Sequence, residues 1–146
     1  MKKSSLIFAT ILIFLSLWLS YFLACDTNPY KQGKVLYEKT CQNCHQEDGK
    51  AVATLIPPLA GSEYIGQPDL VACIIRYGLN GKITVNGVEY NHEMPPNELL
   101  TPIQIANIMN YVGNSWGNNA EYVSSKQVAE ALENCVVIDA KLKIEN

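Results

Sequence analysis

Apolar residues cluster at the start of the chain and then recur in short helical patterns, separated by loops rich in glycine and proline. Residues 6–23 carry no charge, and Lys2 and Lys3 precede them. From Pro29 onward, apolar positions follow the three-to-four-residue spacing of amphipathic helices. The pattern contains no internal repeat and no low-complexity tract. It therefore predicts one domain of short helices behind an N-terminal apolar segment.

Two helices are predicted in the first half of this domain. The first spans Tyr30–Lys39 and leads directly into a cysteine cluster. The second begins at Pro68, a residue favoured at the first helical position, and ends at Gly78. Between them, residues 46–67 show no regular pattern and are predicted to form a long loop.

Two further helices begin with capping boxes, in which a Ser or Thr and a Gln three residues later satisfy each other's backbone N–H groups. Thr101–Gln104 precedes an apolar stripe that ends near Gly113. Ser124–Gln127 precedes a shorter helix that ends near Glu133. The domain is therefore predicted to be mostly helical.

A small β-hairpin is predicted between the second and third helices. Residues 83–85 and 88–90 flank Asn86-Gly87, a dipeptide that tolerates the positive φ angles of a tight turn. The tail at 135–138 has β-forming residues and is expected to lie extended against the domain.

The length and charge of the chain limit its function classes. A chain of 146 residues leaves no room for a second core of normal size. The net charge is −3, and without Lys2 and Lys3 the remaining nine basic and 14 acidic residues give −5. This acidic balance argues against nucleic acid as a partner, and it suits either solubility or docking onto a basic protein surface.

The N-terminus predicts export. Two lysines and an apolar block form a signal peptide over residues 1–24. Phe22-Leu23-Ala24-Cys25 resembles the lipobox of bacterial lipoproteins, in which the cysteine thiol receives a diacylglycerol, although Phe22 stands where Leu is usual. Residues 25–29 would then be a lipidated linker, and the domain would lie on the periplasmic side of a bacterial membrane. A retained transmembrane anchor and a freely secreted protein are the alternatives.

Cys41-Gln42-Asn43-Cys44-His45 has the C-x-x-C-H spacing by which two thiols add to the vinyl groups of haem while the adjacent imidazole binds iron. Two intervening residues let the sulfurs reach neighbouring pyrroles, and a turn of helix then brings His45 beneath the ring centre. A zinc site would need further clustered ligands, and a thioredoxin-like dithiol would need a βαβ pattern. The sequence offers neither.

From Tyr30 to about Trp116 the sequence resembles small class I c-type cytochromes. The resemblance rests on the attachment motif, on Pro57-Pro58-Leu59-Ala60-Gly61, on Met94-Pro95-Pro96 and on the helices at the two ends. It implies an all-α cytochrome c fold at 30–116, with short helices around one covalently bound haem c. This sequence adds the small β-hairpin and a C-terminal extension at 117–146.

The resemblance also implies particular contacts. In this family the first and last helices cross each other. At the crossing, a glycine and an aromatic residue of the first helix pack against two residues of the last helix. Here Gly33 and Tyr37 would meet Ile108 and Tyr111, although ordinary core packing would use the same four residues. A proline carbonyl after the motif accepts the ring N–H of the iron-binding histidine, and by position that proline is Pro57.

An iron that transfers electrons needs both axial positions filled, because unchanged coordination keeps reorganisation small. The resemblance implies Met94 as the second ligand, since it lies in a loop before two prolines that limit its freedom. Met109 lies on the apolar stripe of the third helix, where packing is expected. His92 is the rival and would give a lower reduction potential. If neither Met94 nor His92 binds, the open site would point to gas sensing or peroxide chemistry.

Arg76, Tyr64 and Trp116 are candidate donors to the haem propionates, because each flanks an element expected to border the ring. Arg76 has the simpler alternative of capping the C-terminal end of its own helix.

Two cysteines remain after Cys41 and Cys44 are assigned to haem and Cys25 to lipid. In an oxidising compartment Cys73 and Cys135 either form a disulfide that holds the C-terminal extension, or Cys73 is a small buried hydrophobic residue.

These observations predict an electron carrier and not an enzyme, with redox proteins such as a dehydrogenase, reductase or terminal oxidase as partners. No acid–base pair or nucleophile triad appears beside the motif, so no small-molecule substrate is expected. The stretch Asn114–Asn118 is similar to cytochrome domains attached to periplasmic dehydrogenases, oxidases and nitrite reductases. Two alternatives are a permanent subunit of a larger oxidoreductase and a haem sensor or peroxidase with an open sixth site.

Overall fold

The computed structural model describes residues 2–22, 29–52, 54–138 and 141–142. Its helices are α1 (Lys2–Phe22), α2 (Lys31–Thr40), α3 (Gln42–His45), a 3-10 helix (Glu63–Gly66), α4 (Pro68–Tyr77), α5 (Pro102–Gly113) and α6 (Ser125–Glu133). Its strands are β1 (Ile83–Val85), β2 (Val88–Tyr90), β3 (Val137–Ile138) and β4 (Lys141–Leu142), which pair as two antiparallel hairpins. The predicted all-α class with a small hairpin at 83–90 is therefore confirmed, and β3 and β4 form a second hairpin where only an extended tail was expected.

Helix α1 covers most of the predicted signal peptide. Cys25 and the linker up to residue 28 lie outside the described residues. In the described part of the chain, no helix combines the length and the apolarity that a membrane crossing requires.

Helices α2 and α5 cross where Gly33 approaches α5. A Cβ atom at Gly33 would collide with the backbone carbonyl of Asn107 and lie 2.7 Å from Cβ of Tyr111. The Tyr37 and Tyr111 rings are in contact, with centroids 5.4 Å apart. The crossing therefore has the predicted glycine and aromatic contacts, with Asn107 next to the glycine, while Ile108 is buried in the core behind it.

Helices α4, α5 and α6 enclose the main apolar core with one face of α2. The buried members of this core are Tyr37, Ala72, Ile75, Leu100, Ile105, Ala106, Ile108, Met109, Val112, Val123, Val128 and Ala131. The core includes residues of α6, so the C-terminal extension is part of the domain's hydrophobic packing and not an appended tail.

The two predicted capping boxes differ in the structure. At α5 the box is complete, since Thr101 accepts from the Gln104 backbone and Gln104 accepts from the Thr101 backbone. At α6, Ser124 accepts from the Gln127 backbone over 3.1 Å. The Gln127 side chain instead donates to Asp69 on α4 over 3.3 Å, because α6 packs against that helix. The second box is therefore only half formed.

A disulfide and a pair of hydrogen bonds also attach the C-terminal extension. Cys73 on α4 and Cys135 after α6 are joined by a disulfide. The buried side chain of Asn110 donates to the Val123 carbonyl and accepts from the Val123 N–H, each over 2.8 Å. Together they attach the extension to α4 and to α5.

Candidate functional site

A cavity of about 390 Å³ lies among α2, α3, α4, α5, the first hairpin and the loops between them. Its size is that of a small-molecule or cofactor site. Most of the side chains that line it are apolar, among them Ile56, Leu59, Ile65, Val71, Ile74, Leu79, Ile83, Val85, Ile108 and Val112. Cys41, Cys44, His45 and Met94 line the same cavity. The structure thus brings the motif and the predicted second ligand to one place.

The motif lies where α2 passes into α3. Cys41 directly follows α2, and its carbonyl accepts from the backbone N–H groups of Cys44 and His45 over 3.1 and 3.0 Å. This single helical turn places all three side chains at the cavity. Cys41 is half-buried and Cys44 is exposed, and both are free thiols. Both sulfurs are therefore available for covalent attachment.

The Cys41 thiol has a polar neighbour that the sequence analysis did not identify. Its sulfur lies 3.2 Å from the Thr40 hydroxyl. Burial raises the pKa of Cys41 above its ordinary value, and the Thr40 hydrogen bond opposes that rise. The thiol is thus kept protonated to higher pH than an exposed cysteine would be.

His45 is buried, with 8% of its surface exposed. Burial lowers the pKa of its imidazole, and the backbone carbonyl of Pro57 opposes that shift. Nδ1 nevertheless completes no hydrogen bond among the described residues. The Pro57 carbonyl is therefore a neighbour of the imidazole that is not aligned for a hydrogen bond. The imidazole is held neutral, which is the form that binds a metal ion.

Trp116, which was predicted to donate to a propionate, does not line the cavity. Its Nε1 donates to the Glu47 carbonyl over 2.9 Å, and its ring packs against Tyr37 with centroids 5.2 Å apart. The neighbouring Asn118 accepts from the Gly61 N–H over 2.8 Å and donates to the Leu59 carbonyl over 3.1 Å. Trp116 and Asn118 therefore hold both ends of the loop that carries Pro57.

Arg76 is also outside the cavity. Its guanidinium donates to the carbonyls of Glu98 and Leu100 over 2.9 and 2.5 Å. These bonds do not cap the C-terminal end of its own helix. These bonds hold the segment before α5 against α4. Tyr64 does line the cavity, on the 3-10 helix.

Three potential ligand residues line the cavity besides His45, namely Met94, Met109 and His92. Met109 is buried within the core of α5, as its place on the apolar stripe predicted. His92 is exposed, and its Nδ1 lies 3.1 Å from the Glu93 carbonyl. Met94 is half-buried and is paired through its backbone with Leu79. Met94 therefore combines contact with the cavity and a fixed backbone.

Sequence reasoning did not identify Ser62 and Tyr90, which also line the cavity and are buried. Ser62 caps the 3-10 helix by accepting from the Tyr64 N–H over 3.3 Å. A Ser before an acidic residue is a weak capping signal that was available in the sequence. Tyr90 ends β2, and its inward side follows from the alternation of the hairpin.

The residues present fit a covalently attached haem. Two free thiols separated by two residues lie at the wall, a neutral buried imidazole follows them, and its Nδ1 has no hydrogen-bond partner among the described residues. The predominantly apolar lining suits a porphyrin face.

Comparison with known proteins agrees with this fit. The family model for cytochrome c matches residues 30–116. Cytochrome c-552 of Thermus thermophilus is 34% identical over 83 residues, which cover 53% of this chain and 63% of that protein. The fructose dehydrogenase cytochrome subunit of Gluconobacter japonicus is 38% identical over 110 residues, which cover 67% of this chain and 21% of that protein. The gluconate 2-dehydrogenase cytochrome c subunit of Pantoea cypripedii is 32% identical over 101 residues, covering 66% and 23% respectively.

The matches span less than two thirds of the length of each of these relatives. The family model itself covers more than half of this chain and includes the motif, Met94 and most of the residues that line the cavity. The chain therefore belongs to the cytochrome c family, whose cofactor is covalently bound haem c, and its size fits a single haem.

Proposed function

We propose that this chain carries single electrons between redox proteins by means of one haem c bound in the cavity. The observation that carries the proposal is that Cys41, Cys44, His45 and Met94 line one cavity in a member of the cytochrome c family. When bound, the haem supplies an iron ion that gains or loses one electron.

The side chains have separate roles in this proposal. Cys41 and Cys44 hold the haem covalently, so that a small domain does not lose it. His45 and Met94 would hold the iron, and the Pro57 carbonyl would orient the imidazole. Because the protein would supply both ligands, none need enter or leave when the oxidation state changes.

The apolar lining has a separate effect on the redox equilibrium. Leu79, Val85 and Ile108 are buried side chains at the cavity wall. Such a lining keeps water away and disfavours the additional positive charge of the oxidised iron, and a Met ligand acts in the same direction. We therefore propose a carrier of higher potential than a bis-histidine haem would give.

A redox-titrated optical spectrum of the purified haem protein tests this function. A carrier gives a haem c spectrum, reversible one-electron titration and little carbon monoxide binding when reduced. Complete removal of the pigment by acid-acetone extraction would contradict covalent attachment of the haem. Rapid carbon monoxide binding by the reduced protein would instead indicate a sensor or peroxidase with an open sixth site.

A second candidate is a permanent electron-transfer subunit of a larger oxidoreductase. Relatives named as cytochrome subunits of fructose and gluconate dehydrogenases support it. Purification in mild detergent separates the two functions, since a subunit co-elutes with a second protein in fixed ratio and a mobile carrier elutes alone.

We further propose that the domain is held on the periplasmic side of a bacterial membrane through a lipid on Cys25. The lysines, apolar block and lipobox-like residues support this placement. Intact mass measurement tests it. A lipoprotein shows loss of residues 1–24 and a gain in mass that Cys25→Ser abolishes, whereas a transmembrane anchor retains the full chain.

A further inference from the structure

Glu63 links two separate parts of the cavity wall. Both of its carboxylate oxygens lie 2.8 Å from the backbone nitrogen of Asn86, which donates to them. Glu63 begins the 3-10 helix, and Asn86 is the first residue of the turn between β1 and β2. The contact therefore joins the tip of the hairpin to an element 23 residues earlier in the chain.

The hairpin forms one wall of the cavity. Ile83 and Val85 of β1 and Tyr90 of β2 line it, and Val85 and Tyr90 are only 2% and 7% exposed. Tyr64 and Ile65 of the 3-10 helix line the neighbouring wall. The Glu63 contact thus holds together two walls whose side chains both face the haem site.

Ile83 packs on the helical body and Val85 is buried, but few polar contacts join the hairpin to the body among the described residues. Each of its strands has three residues, and a two-stranded hairpin of this size is marginal on its own. The pairing of Leu79 with Met94 fixes its base. Its turn is exposed, and Lys82 and Glu89 bond to each other within the hairpin, not to the helical body. Among the hydrogen bonds described, those to Glu63 are therefore the ones that hold the tip to the body.

We infer that Glu63 is a positioning residue, whose carboxylate holds the hairpin tip closed beside the haem and so limits the access of water to that side of the cavity. The inference rests on the haem c of the proposed function but not on the identity of the second axial ligand. A closed hairpin keeps the surroundings of the iron apolar and the reduction potential high.

The test compares Glu63→Ala with Glu89→Ala in the haem protein. Both variants remove one exposed carboxylate near the hairpin, but only Glu63 connects the hairpin to the 3-10 helix. Loss of a negative charge alone raises the reduction potential, whereas entry of water lowers it. We expect the potential of Glu63→Ala to fall below that of the wild type and that of Glu89→Ala to rise. Glu63→Gln loses the same charge but keeps one acceptor oxygen, so its potential should lie above that of Glu63→Ala.

Amide hydrogen exchange provides a readout independent of electron transfer. In Glu63→Ala the Asn86 amide should exchange about tenfold faster, while in Glu89→Ala it should remain as in the wild type. A rise in potential in both alanine variants would overturn the inference, and so would an unchanged Asn86 exchange rate in Glu63→Ala. Failure of the wild type to show a haem c spectrum would instead overturn the proposed function.

Discussion

Leu79 and Met94 face each other as an isolated antiparallel pair, in which each backbone N–H donates to the other residue's carbonyl over 2.9 Å. Leu79 lies just after the end of α4, and Asn97 adds a further bond by donating to the Ile75 carbonyl over 3.0 Å. The segment that carries Met94 is thus fixed to a helix that itself lines the cavity. This arrangement restrains the thioether that is proposed to bind the iron.

Gly78 tests the importance of this restraint. It has a φ of 72°, and a Cβ atom there would collide with the Met94 carbonyl and lie 2.8 Å from the Pro96 nitrogen. Gly78→Ala should therefore cost about 2–4 kcal/mol of unfolding free energy by combining backbone strain with a clash. It should also weaken the near-infrared band of iron–sulfur coordination.

Gly81→Ala is the matched control for Gly78→Ala. Gly81 has a φ of 105°, but a Cβ atom there would meet no atom within 4 Å. This variant should lose about 1–2 kcal/mol from backbone strain and retain the near-infrared band. Chemical denaturation and the oxidised spectrum measure both effects, and equal behaviour of the two variants would contradict the role of the contact.

Replacement of Met94 separates the two candidate sets of axial ligands. Met94→Ala should abolish the near-infrared band, lower the potential and allow the reduced protein to bind carbon monoxide, because an axial position is opened. His92→Ala, at an exposed residue of the same loop, should keep the band. An oxidised spectrum unchanged by Met94→Ala but altered by His92→Ala would assign the ligand to His92.

Local signals account for the parts of the fold that were predictable. Pro68 and Gly78 marked the ends of α4, Asn86-Gly87 marked the hairpin turn, and Thr101 marked the start of α5. Each of these features is determined by backbone preferences of adjacent residues. The 3-10 helix at Glu63–Gly66 was missed because it is one short turn without an apolar period.

The roles of Arg76 and Trp116 could not be predicted in the same way. Arg76 bonds to carbonyls 22 and 24 residues away, and Trp116 bonds to one 69 residues away. Such partners follow from how the elements pack, and no local pattern specifies them. The covalent motif was predictable because its chemistry depends on spacing alone.

The disulfide between Cys73 and Cys135 should contribute substantially to stability. It closes a loop with a sequence separation of 62 residues. Its removal in the double variant Cys73→Ala/Cys135→Ala should cost about 3–4 kcal/mol, because the unfolded chain gains conformational freedom. Chemical denaturation measures the loss. Reduced wild type should unfold at the same denaturant concentration as the double variant, and equal stability of oxidised wild type and variant would contradict the prediction.

Asn110 should anchor the segment that leads into α6. Asn110→Ala leaves the N–H and carbonyl of the buried Val123 without the side chain that satisfies both, which should cost about 2–4 kcal/mol. Asn107→Ala on the same helix removes one longer bond to Gln32, of 3.3 Å, and should cost less than about 1 kcal/mol. Thermal or chemical unfolding distinguishes the two, and a loss for Asn110→Ala no greater than that of the control would contradict the anchor.

Tyr37 should make stability depend on alkaline pH. Its hydroxyl donates to the Gln46 carbonyl over 2.6 Å, and burial, followed by the neighbouring Cys41, raises the pKa of its phenol well above the ordinary value. The phenol of the unfolded chain ionises near pH 10, whereas the folded one stays protonated, so the unfolded state releases a proton first. The stability that this group provides is therefore fully present below about pH 10 and decreases above it, by about 1.4 kcal/mol per pH unit.

Tyr37→Phe should be about 1–2 kcal/mol less stable than the wild type at pH 7, and the difference should shrink by pH 11. Urea unfolding at both pH values measures this difference, with Tyr122→Phe, at a position 74% exposed, as the control for loss of a phenol. A difference that is constant between pH 7 and pH 11 would show that Tyr37 ionises equally in both states.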